Sequence, residues 1–216
     1  MIKIYGSLVS RATRNLWALE ELDLDYEHVS LDWAKQKNRS PEYLKINPAG
    51  KVPTLTDGNA TLSESLGINL YLAQKYGQGG LWPDDDAGRA RCVQWSFWAG
   101  AELEPLAYGR IREFLFKKEA GRDQALIADM AERTGPLLDL MTLSLAEHTY
   151  LAGETFTLAD LNVACVVEYL ERSNFDFSNW PKVESWYTNT YGRAANQKIQ
   201  DQRAPIAAEM MKRLQG

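Results

Sequence analysis

The chain has 216 residues, of which 45% are hydrophobic and 25% are charged, a composition that is typical of soluble globular proteins and a length that allows two domains. The formal net charge is −5 and basic residues occur in runs no longer than two, which argues against a nucleic-acid-binding surface. Cys92 and Cys165 stand among apolar residues outside any Cys-x-x-Cys pair, and His28 and His148 lie far apart, so we expect neither a disulfide scaffold nor a metal site.

Targeting and membrane segments have no support in the sequence. The chain begins with Met-Ile-Lys-Ile-Tyr, which is typical of a short strand and lacks the basic region and apolar stretch of a signal peptide. No run of about 18 apolar residues occurs, so we expect no membrane-spanning helix. We therefore expect a cytoplasmic protein without a membrane or nucleic-acid partner.

The first part of the chain alternates between strand and helix patterns. Residues 2–5 predict a strand, and residues 11–22 predict a helix because apolar side chains recur at intervals of one turn. Residues 26–31 alternate between apolar and polar side chains, which is the period-two pattern of a strand, and a polar loop is predicted at 32–39. These elements predict a strand–helix–strand unit with parallel strands.

The next stretch predicts two helices and a hairpin. Ser40-Pro41 is typical of a helix start, since serine is a favoured N-cap and proline suits the first helical position, and a breaker cluster follows at 47–50. Short strands are predicted at 52–56 and 60–62 around an Asp-Gly turn, and a helix at 65–76. The predicted order of elements is therefore βαβαββα.

The segment 77–86 interrupts this pattern. It contains three glycines, a proline and three consecutive aspartates, so we interpret it as a linker between domain 1–76 and domain 87–216. The second domain is predicted to be all-helical, with helices at 87–118 (bent near Pro105), 123–147 (kinked at Gly135-Pro136), 157–172, 181–191 and 199–214.

One signal in the helical part predicts a defined helix start. The sequence Thr-Leu-Ala-Asp from Thr157 to Asp160 matches a capping box, in which each of these two side chains accepts a hydrogen bond from the other residue's amide. Phe156 and Leu161 occupy the positions of a hydrophobic staple. We expect this feature to stabilise the helix and assign it no catalytic role.

Three motifs in the first domain lie where a strand–helix unit binds ligands. Ser10 stands at the start of the first helix, where it is either an N-cap or a group that acts on a ligand. Pro53 follows Val52 as an edge-strand proline or as a cis proline that leaves the Val52 backbone free to pair with a peptide. Glu64-Ser65 opens a helix as a simple cap, or as a pair that binds the ammonium and the carboxylate of an α-amino acid.

These motifs occur in the order of a known family. The glutathione S-transferase superfamily is similar to this chain in Ser10…Arg14, Asn47-Pro48-x-Gly-Lys-Val-Pro53, Glu64-Ser65-x-x-Ile68, the linker and the capping box. A serine at position 10, in a loop without a tyrosine, resembles the serine-type members, which are theta-like, phi-like and bacterial. The resemblance covers nearly the whole chain. It implies a thioredoxin-like domain followed by an all-α helical bundle, and a two-fold homodimer.

The resemblance also implies how the chain holds the centre of glutathione. Ser10 is expected to donate its hydroxyl to the glutathione sulfur, with Ser7 as a neighbouring alternative. Val52 is expected to bond the cysteinyl backbone of glutathione through its own main chain, next to a cis Pro53. No metal is implied, because glutathione as co-substrate carries the nucleophile.

The two ends of glutathione have their own candidates by the same resemblance. Glu64 and Ser65 are expected to hold the γ-glutamyl amine and carboxylate. Lys51 or Arg39 is expected to face the glycyl carboxylate, and Asn38 is an equal candidate to Arg39.

A hydroxyl at a helix start is sufficient in magnitude to ionise the thiol. Lowering the thiol pKa from about 8.5 by about two units requires about 2.7 kcal/mol. A charge-assisted hydrogen bond contributes about 1.5–3 kcal/mol and a helix N-terminus about 0.3–1 kcal/mol. Ser10 and Thr13 occupy the two ends of the Cys-x-x-Cys slot of thioredoxins, so a dithiol mechanism is excluded.

The second substrate is expected between the loop at Leu8-Val9 and the long helix. Val9, Tyr108 and Arg112 are the candidate pocket residues, and the last two share a helix face on which ordinary core packing is the alternative. An apolar lining implies a hydrophobic electrophile. Arg14, one turn beyond Ser10, either lends positive charge to the site or pairs with an acid to stabilise the fold.

Glutathione transfer to an apolar electrophile, as in detoxification, is the function that the resemblance implies first. Glutathione-dependent reduction, dehalogenation or isomerisation would use the same thiolate, although the isomerase type usually carries a Ser-Ser-Cys cluster that this chain lacks. A non-catalytic glutathione-binding module is the remaining alternative. Such modules often lose the serine or the Glu-Ser pair, and this chain has both.

Overall fold

A computed structural model describes residues 1–32 and 35–215 of the chain. They divide into two units, one of residues 1–78 with 194–208 and one of residues 79–193 with the C-terminal segment that begins at Glu209. Within the described residues, no helix has both the length and the apolar character needed to cross a membrane.

The described residues of the first unit form a four-stranded mixed sheet and, before residue 78, three α-helices. The elements in chain order are β1 (Ile2–Tyr5), α1 (Ala12–Glu21), β2 (Tyr26–Val29), α2 (Pro41–Ile46), β3 (Thr54–Asp57), β4 (Ala60–Ser63) and α3 (Ser65–Tyr76). The strand order is β2-β1-β3-β4, with β1 parallel to β2 and antiparallel to β3. The predicted order βαβαββα is confirmed, and it is the thioredoxin-like arrangement that the resemblance implies.

Element boundaries differ from the predictions where a backbone donor is missing or where a turn intervenes. β3 begins at Thr54 rather than at residue 52, because Pro53 has no amide for the ladder. β2 ends at Val29 rather than at residue 31. The predicted loop at 32–39 contains the short 3₁₀ helix Lys37–Arg39, and its residues 33 and 34 lie outside the described residues.

The core of the first unit lies between the sheet and the helices α1 and α3, which pack against each other. Its large side chains without solvent contact include Ile4, Leu16, Leu55, Ile68 and Leu72. Full burial of one such side chain contributes about 1.5–3 kcal/mol. This apolar layer fixes the helix starts at which the candidate site is built.

Asp57, at the end of β3, accepts hydrogen bonds from Lys75 Nζ at 2.7 Å, Tyr76 at 2.6 Å and Tyr71 at 2.9 Å. Burial alone would raise the pKa of Asp57, but these donors outweigh it and lower the pKa from 3.8 to about 2. The folded state therefore binds this proton less readily than the unfolded chain. The resulting stabilisation is complete above the unfolded pKa and is lost as the pH falls through the folded pKa.

We expect Asp57→Asn to lower the free energy of unfolding by about 2 kcal/mol at about pH 7, and by much less at about pH 2. Urea denaturation of both proteins across this pH range measures the difference. Asp25→Asn, which changes an exposed carboxylate of the same unit, serves as the control. A constant difference between Asp57→Asn and the unmodified chain at every pH would contradict the prediction.

The second unit is helical throughout its named elements. They are α4 (Asp86–Trp98), α5 (Glu104–Phe116), α6 (Gln124–Glu147), α7 (Leu158–Glu171) and α8 (Pro181–Tyr191), and α9 (Ala194–Gln215) begins in the first unit. The predicted helical C-terminal domain is confirmed. α9 begins at Ala194 rather than at residue 199. Lys198 lies in the part of α9 that belongs to the first unit, and it donates to Glu20 of the same unit at 2.6 Å.

The predicted bend in the first long helix is a π-helical turn at Ala99–Leu103, between α4 and α5. It ends two residues before Pro105, which lacks an amide hydrogen and whose ring would clash with the carbonyl one turn earlier in a regular helix. α6 continues through Pro136 as one helix.

α7 is the buried helix of the second unit. Nearly every side chain from Leu158 to Glu168 is buried, which is typical of a helix surrounded by other helices. The capping box of Thr157 and Asp160 is present at its start, so this prediction is confirmed.

Candidate functional site

Ser10 lies between β1 and α1 and is half-buried. Its hydroxyl donates to the carbonyl of Ser7 at 2.7 Å and accepts from the amide of Ala12 at 3.2 Å. The oxygen therefore satisfies one free amide of the first turn, as an N-cap does. The proton is held by a neutral carbonyl, which a stronger acceptor can replace.

Gly6 brings Ser10 and Val52 together. Its φ is +147°, and a Cβ atom at this position would lie 2.7 Å from Ala12 Cβ, 3.2 Å from Ser10 Oγ and 3.5 Å from Val52 Cβ. Only glycine fits here, because this backbone conformation and this close approach both exclude a side chain. The Val52-Pro53 peptide bond is cis, so the cis alternative is the one observed.

A hydrogen-bond network behind Val52 holds the segment that precedes the cis bond. The Lys51 carbonyl accepts from the Tyr43 hydroxyl at 2.6 Å and from Asn47 Nδ2 at 3.0 Å, and both side chains also contact Thr54 Oγ1, at 2.8 and 2.9 Å. Burial raises the pKa of Tyr43, so it remains a neutral donor. Tyr43 and Thr54 were not predicted from the sequence; their signal is a side chain with a hydroxyl at a buried position of α2 and of β3.

The three candidates for the glycyl carboxylate lie around Gly50. Asn38 is 4% exposed and donates to the Gly50 carbonyl at 2.8 Å, so its amide serves the backbone. Arg39 is exposed and donates to the Ala49 carbonyl at 3.2 Å, and Lys51 is exposed on the other side of Gly50. The two cations are therefore available to an anionic ligand, and Asn38 has a supporting position.

Glu64 and Ser65 lie at the start of α3 in different environments. Glu64 is exposed and has a φ of 70°, an uncommon conformation for a residue with a side chain. Ser65 is 5% exposed, and its hydroxyl accepts from Arg14 Nη1 at 3.2 Å. The arrangement combines an exposed carboxylate, a hydroxyl, a guanidinium and the free amides of a helix start, which together suit a zwitterion.

Two buried asparagines, which the sequence analysis missed, join the starts of α1 and α3. Asn15 Nδ2 donates to the Ser65 carbonyl at 2.8 Å and to Asn69 Oδ1 at 2.6 Å. Asn69 Nδ2 donates to the Arg14 carbonyl at 3.3 Å. Asparagine is a poor helix former, so two asparagines inside helical patterns were the available signal. The network holds the sites of Ser10 and of Ser65 on one rigid support.

The candidates for the second substrate lie in both units. Val9 is half-buried in the first unit, and the Tyr108 ring on α5 lies 5.6 Å from the Tyr169 ring of α7. Arg112 is exposed and lines an open cavity of about 320 Å³ with Phe116 and Met130, all in the second unit. Tyr108 is half-buried, so part of its ring packs against Tyr169 and part is exposed.

Within residues 1–32 and 35–215, no group of three or more His, Cys, Asp or Glu side chains could hold a metal ion. Cys92 and Cys165 are buried free thiols, and burial raises the pKa of Cys92. Neither thiol has the exposed, electropositive environment of a reactive cysteine.

Comparison with known proteins gives matches in both units. Residues 2–74 match the family model described as glutathione S-transferase, N-terminal domain, and residues 105–194 match glutathione S-transferase, C-terminal domain. Glutathione S-transferase PARB of Nicotiana tabacum is 33% identical over 201 residues, which cover 90% of this chain and 94% of that protein.

Solved structures match over similar lengths. Poplar glutathione transferase F1 has 30% identity and a TM-score of 0.85, covering 94% of this chain and 98% of its own. The theta class glutathione S-transferase of Xanthomonas axonopodis pv. citri, solved with glutathione bound, has 30% identity and a TM-score of 0.83 and covers 91% and 95%. The predicted fold and the predicted transferase are confirmed by these matches. Since they extend over nearly all of its sequence and both of its units, the chain belongs to the glutathione S-transferase family.

Proposed function

We propose that this enzyme binds glutathione in its first unit, where the thiol ionises beside Ser10 and releases its proton to solvent. The thiolate sulfur then forms a bond to an apolar electrophile and stays bonded to glutathione, so that the whole glutathionyl group is transferred. The observation that carries the proposal is the Ser10 hydroxyl, whose oxygen faces the α1 start while its proton rests on the Ser7 carbonyl. The Xanthomonas relative of similar fold has glutathione bound, which supports glutathione as the ligand.

Activation requires one exchange of hydrogen-bond partners. The Ser10 proton turns from the Ser7 carbonyl to the thiolate, and the Ala12 amide continues to donate to Ser10 Oγ. The Ser7 carbonyl keeps the Ser10 amide as a donor at 3.0 Å, so it is not left unsatisfied. A neutral bond is replaced by a charge-assisted one, and the gain of about 1.5–3 kcal/mol together with the helix N-terminus accounts for a pKa about two units lower.

The remainder of glutathione is held by groups around Ser10. The Val52 main chain pairs with the cysteinyl backbone, next to Pro53. Glu64 binds the γ-glutamyl ammonium, and Ser65 binds the γ-glutamyl carboxylate at the α3 start. Binding a zwitterion by opposite charges at a helix N-terminus gives orientation as well as affinity.

The glycyl end of glutathione meets the exposed cations Arg39 and Lys51. Their charges are flexible and hydrated, so each contributes less than the buried groups. The hydrophobic electrophile contacts Val9, Tyr108 and Arg112. Conjugation in detoxification is the proposed use of this chemistry.

The cellular location, the oligomeric state and the linker of the enzyme are also proposed. We infer a cytoplasmic homodimer, and exposed apolar side chains on α4 and α6 support the dimer: Phe97 is 69% exposed, Leu140 43% and Leu143 68%. We also infer that residues 77–86 form the linker between domain 1–76 and domain 87–216.

Ser10→Ala tests the proposal. We expect the pKa of bound glutathione to rise from about 6.5 by about 1.5 units, because the helix N-terminus remains, and kcat/KM for chlorodinitrobenzene at about pH 7 to fall about eightfold. Retention on glutathione-agarose should persist, because Val52, Glu64 and Ser65 are unchanged. The pH dependence of kcat/KM and the ultraviolet absorbance of the bound thiolate measure the shift.

Ser7→Ala is the matched control, since it removes the neighbouring hydroxyl and preserves the Ser7 carbonyl. If Ser7→Ala raises the thiol pKa and Ser10→Ala does not, the assignment of Ser10 is wrong. An unmodified protein that binds glutathione but converts no electrophile would instead favour a non-catalytic binding module.

A further inference from the structure

His28 is a titratable side chain that the proposed chemistry does not use. It lies on β2 opposite Ile4 of β1 and is half-buried. Its Nε2 atom is 2.7 Å from the carbonyl oxygen of Gly6, the first residue after β1. The two residues are 22 positions apart in sequence, so the parallel pairing of the strands creates this contact.

The chemistry of the two groups fixes the direction of the bond. A carbonyl oxygen is only an acceptor, so Nε2 of His28 must carry a hydrogen. Both the neutral tautomer protonated at Nε2 and the imidazolium satisfy this condition. His28 is therefore the donor of this bond, and the Gly6 carbonyl is the acceptor.

The bond lies where the strand ladder ends. Tyr5 and Val29 are the last paired residues of β1 and β2, and the Gly6 amide still donates to the Val29 carbonyl at 3.1 Å. The Gly6 carbonyl lies beyond this last ladder bond, and His28 supplies its donor. Gly6 is thereby held to β2 through both its amide and its carbonyl.

The Gly6–Ser7 peptide determines where the Ser10 hydroxyl can point. Ser7 carries the carbonyl to which that hydroxyl donates, and a Cβ atom at Gly6 would lie 3.2 Å from Ser10 Oγ. The Ser7 carbonyl belongs to the next peptide, Ser7–Leu8, so if the Gly6–Ser7 peptide were free to rotate, the Ser7 carbonyl could move with it, follow the hydroxyl and retain its proton. A fixed peptide keeps the hydroxyl oriented before glutathione arrives.

We infer that His28 is a positioning residue for thiol activation, which acts by fixing the Gly6–Ser7 turn through its Nε2–H bond to the Gly6 carbonyl. The inference rests on the proposed function of Ser10. His28 itself touches neither the sulfur nor the electrophile in this scheme.

Two substitutions separate the hydrogen bond from the bulk of the side chain. His28→Leu removes the donor at similar volume, and His28→Gln keeps an N–H donor on a side chain of similar reach. We expect His28→Leu to raise the pKa of bound glutathione by about one unit and to lower kcat/KM at about pH 7 about threefold, with KM for glutathione unchanged. His28→Gln should have a thiol pKa and a kcat/KM close to those of the unmodified chain. Equal losses in the two variants would overturn the inference, because the donor would then not be the cause.

The same substitution in the Ser10→Ala background shows whether His28 acts through Ser10. We expect no further rise of the thiol pKa from His28→Leu there, and a rise of about one unit in both backgrounds would overturn the inference. If Ser10→Ala has no effect in the otherwise unmodified chain, the proposed function fails, and this result is distinct from a failure of His28.

The bond can also be tested in the unmodified protein, should either variant fail to fold. The nitrogen-15 spectrum of His28 should show a protonated Nε2. A neutral tautomer protonated at Nδ1 would overturn the inference, since its Nε2 could not donate to Gly6.

Discussion

Replacing Asp160 with alanine is expected to lower the free energy of unfolding by about 4 kcal/mol. The buried carboxylate accepts from the Leu151 amide at 2.8 Å and from Trp186 Nε1 at 2.9 Å through one oxygen, and from the Thr157 amide at 3.0 Å and hydroxyl at 3.1 Å through the other. Alanine would leave these donors buried without an acceptor, at about 1–3 kcal/mol for each unsatisfied group. Urea denaturation followed by circular dichroism measures the change.

Glu154→Ala is the matched control for this substitution. Glu154 lies in the same turn region and accepts from His148 and Thr149, but its side chain is 67% exposed, so its removal should change stability little. An Asp160→Ala protein with the unfolding midpoint of the unmodified chain would refute the role of the buried carboxylate.

Replacing Arg110 with methionine is expected to lower the free energy of unfolding by about 3 kcal/mol. Arg110 is 7% exposed and donates to the Ser173 hydroxyl at 3.1 Å and to the carbonyls of Ile127 at 3.1 Å, Ser173 at 3.0 Å and Asn174 at 3.3 Å. Its charge thus binds the polypeptide just after the C-terminal end of α7, where a cation is favourable. The flanking ring of Phe114 adds a cation–π contact at 5.5 Å.

Arg133→Met makes the same chemical change at an exposed position of α6. Its side chain is 62% exposed and pairs with Asp129 within one helix turn, so we expect a change of no more than about 0.5 kcal/mol. Thermal or urea unfolding of the two variants side by side gives the comparison. If Arg110→Met lowers the free energy of unfolding no more than Arg133→Met does, the buried guanidinium does not stabilise the packing of α5, α6 and the end of α7.

The order of elements was predictable because each depends on neighbours within a few residues. The alternation at 26–31 and the start at Ser40-Pro41 express local preferences, and both elements form close to the predicted bounds. The boundaries were less predictable. α9 begins at Ala194, earlier than its pattern indicates, where tertiary contacts such as that between Lys198 and Glu20 supplement a weak local preference.

Of the candidate site, only the residues that belong to sequence motifs could be predicted. Ser10, Val52 and Glu64-Ser65 follow from spacing and resemblance, and the alternatives of a trans or a cis Pro53 could not be separated without coordinates.

The sequence by itself determined the strand and helix order, the capping box at Thr157 and the motifs of the family, because these features arise within single turns or strands. Only the tertiary structure decided which distant groups support them. Arg14 reaches Ser65 across 51 positions, Asn15 reaches Asn69 across 54, and His28 reaches Gly6 across the sheet. Such bonds require helices and strands to be packed at fixed distances. That packing is a cooperative property of the whole apolar core and leaves no local pattern in the chain.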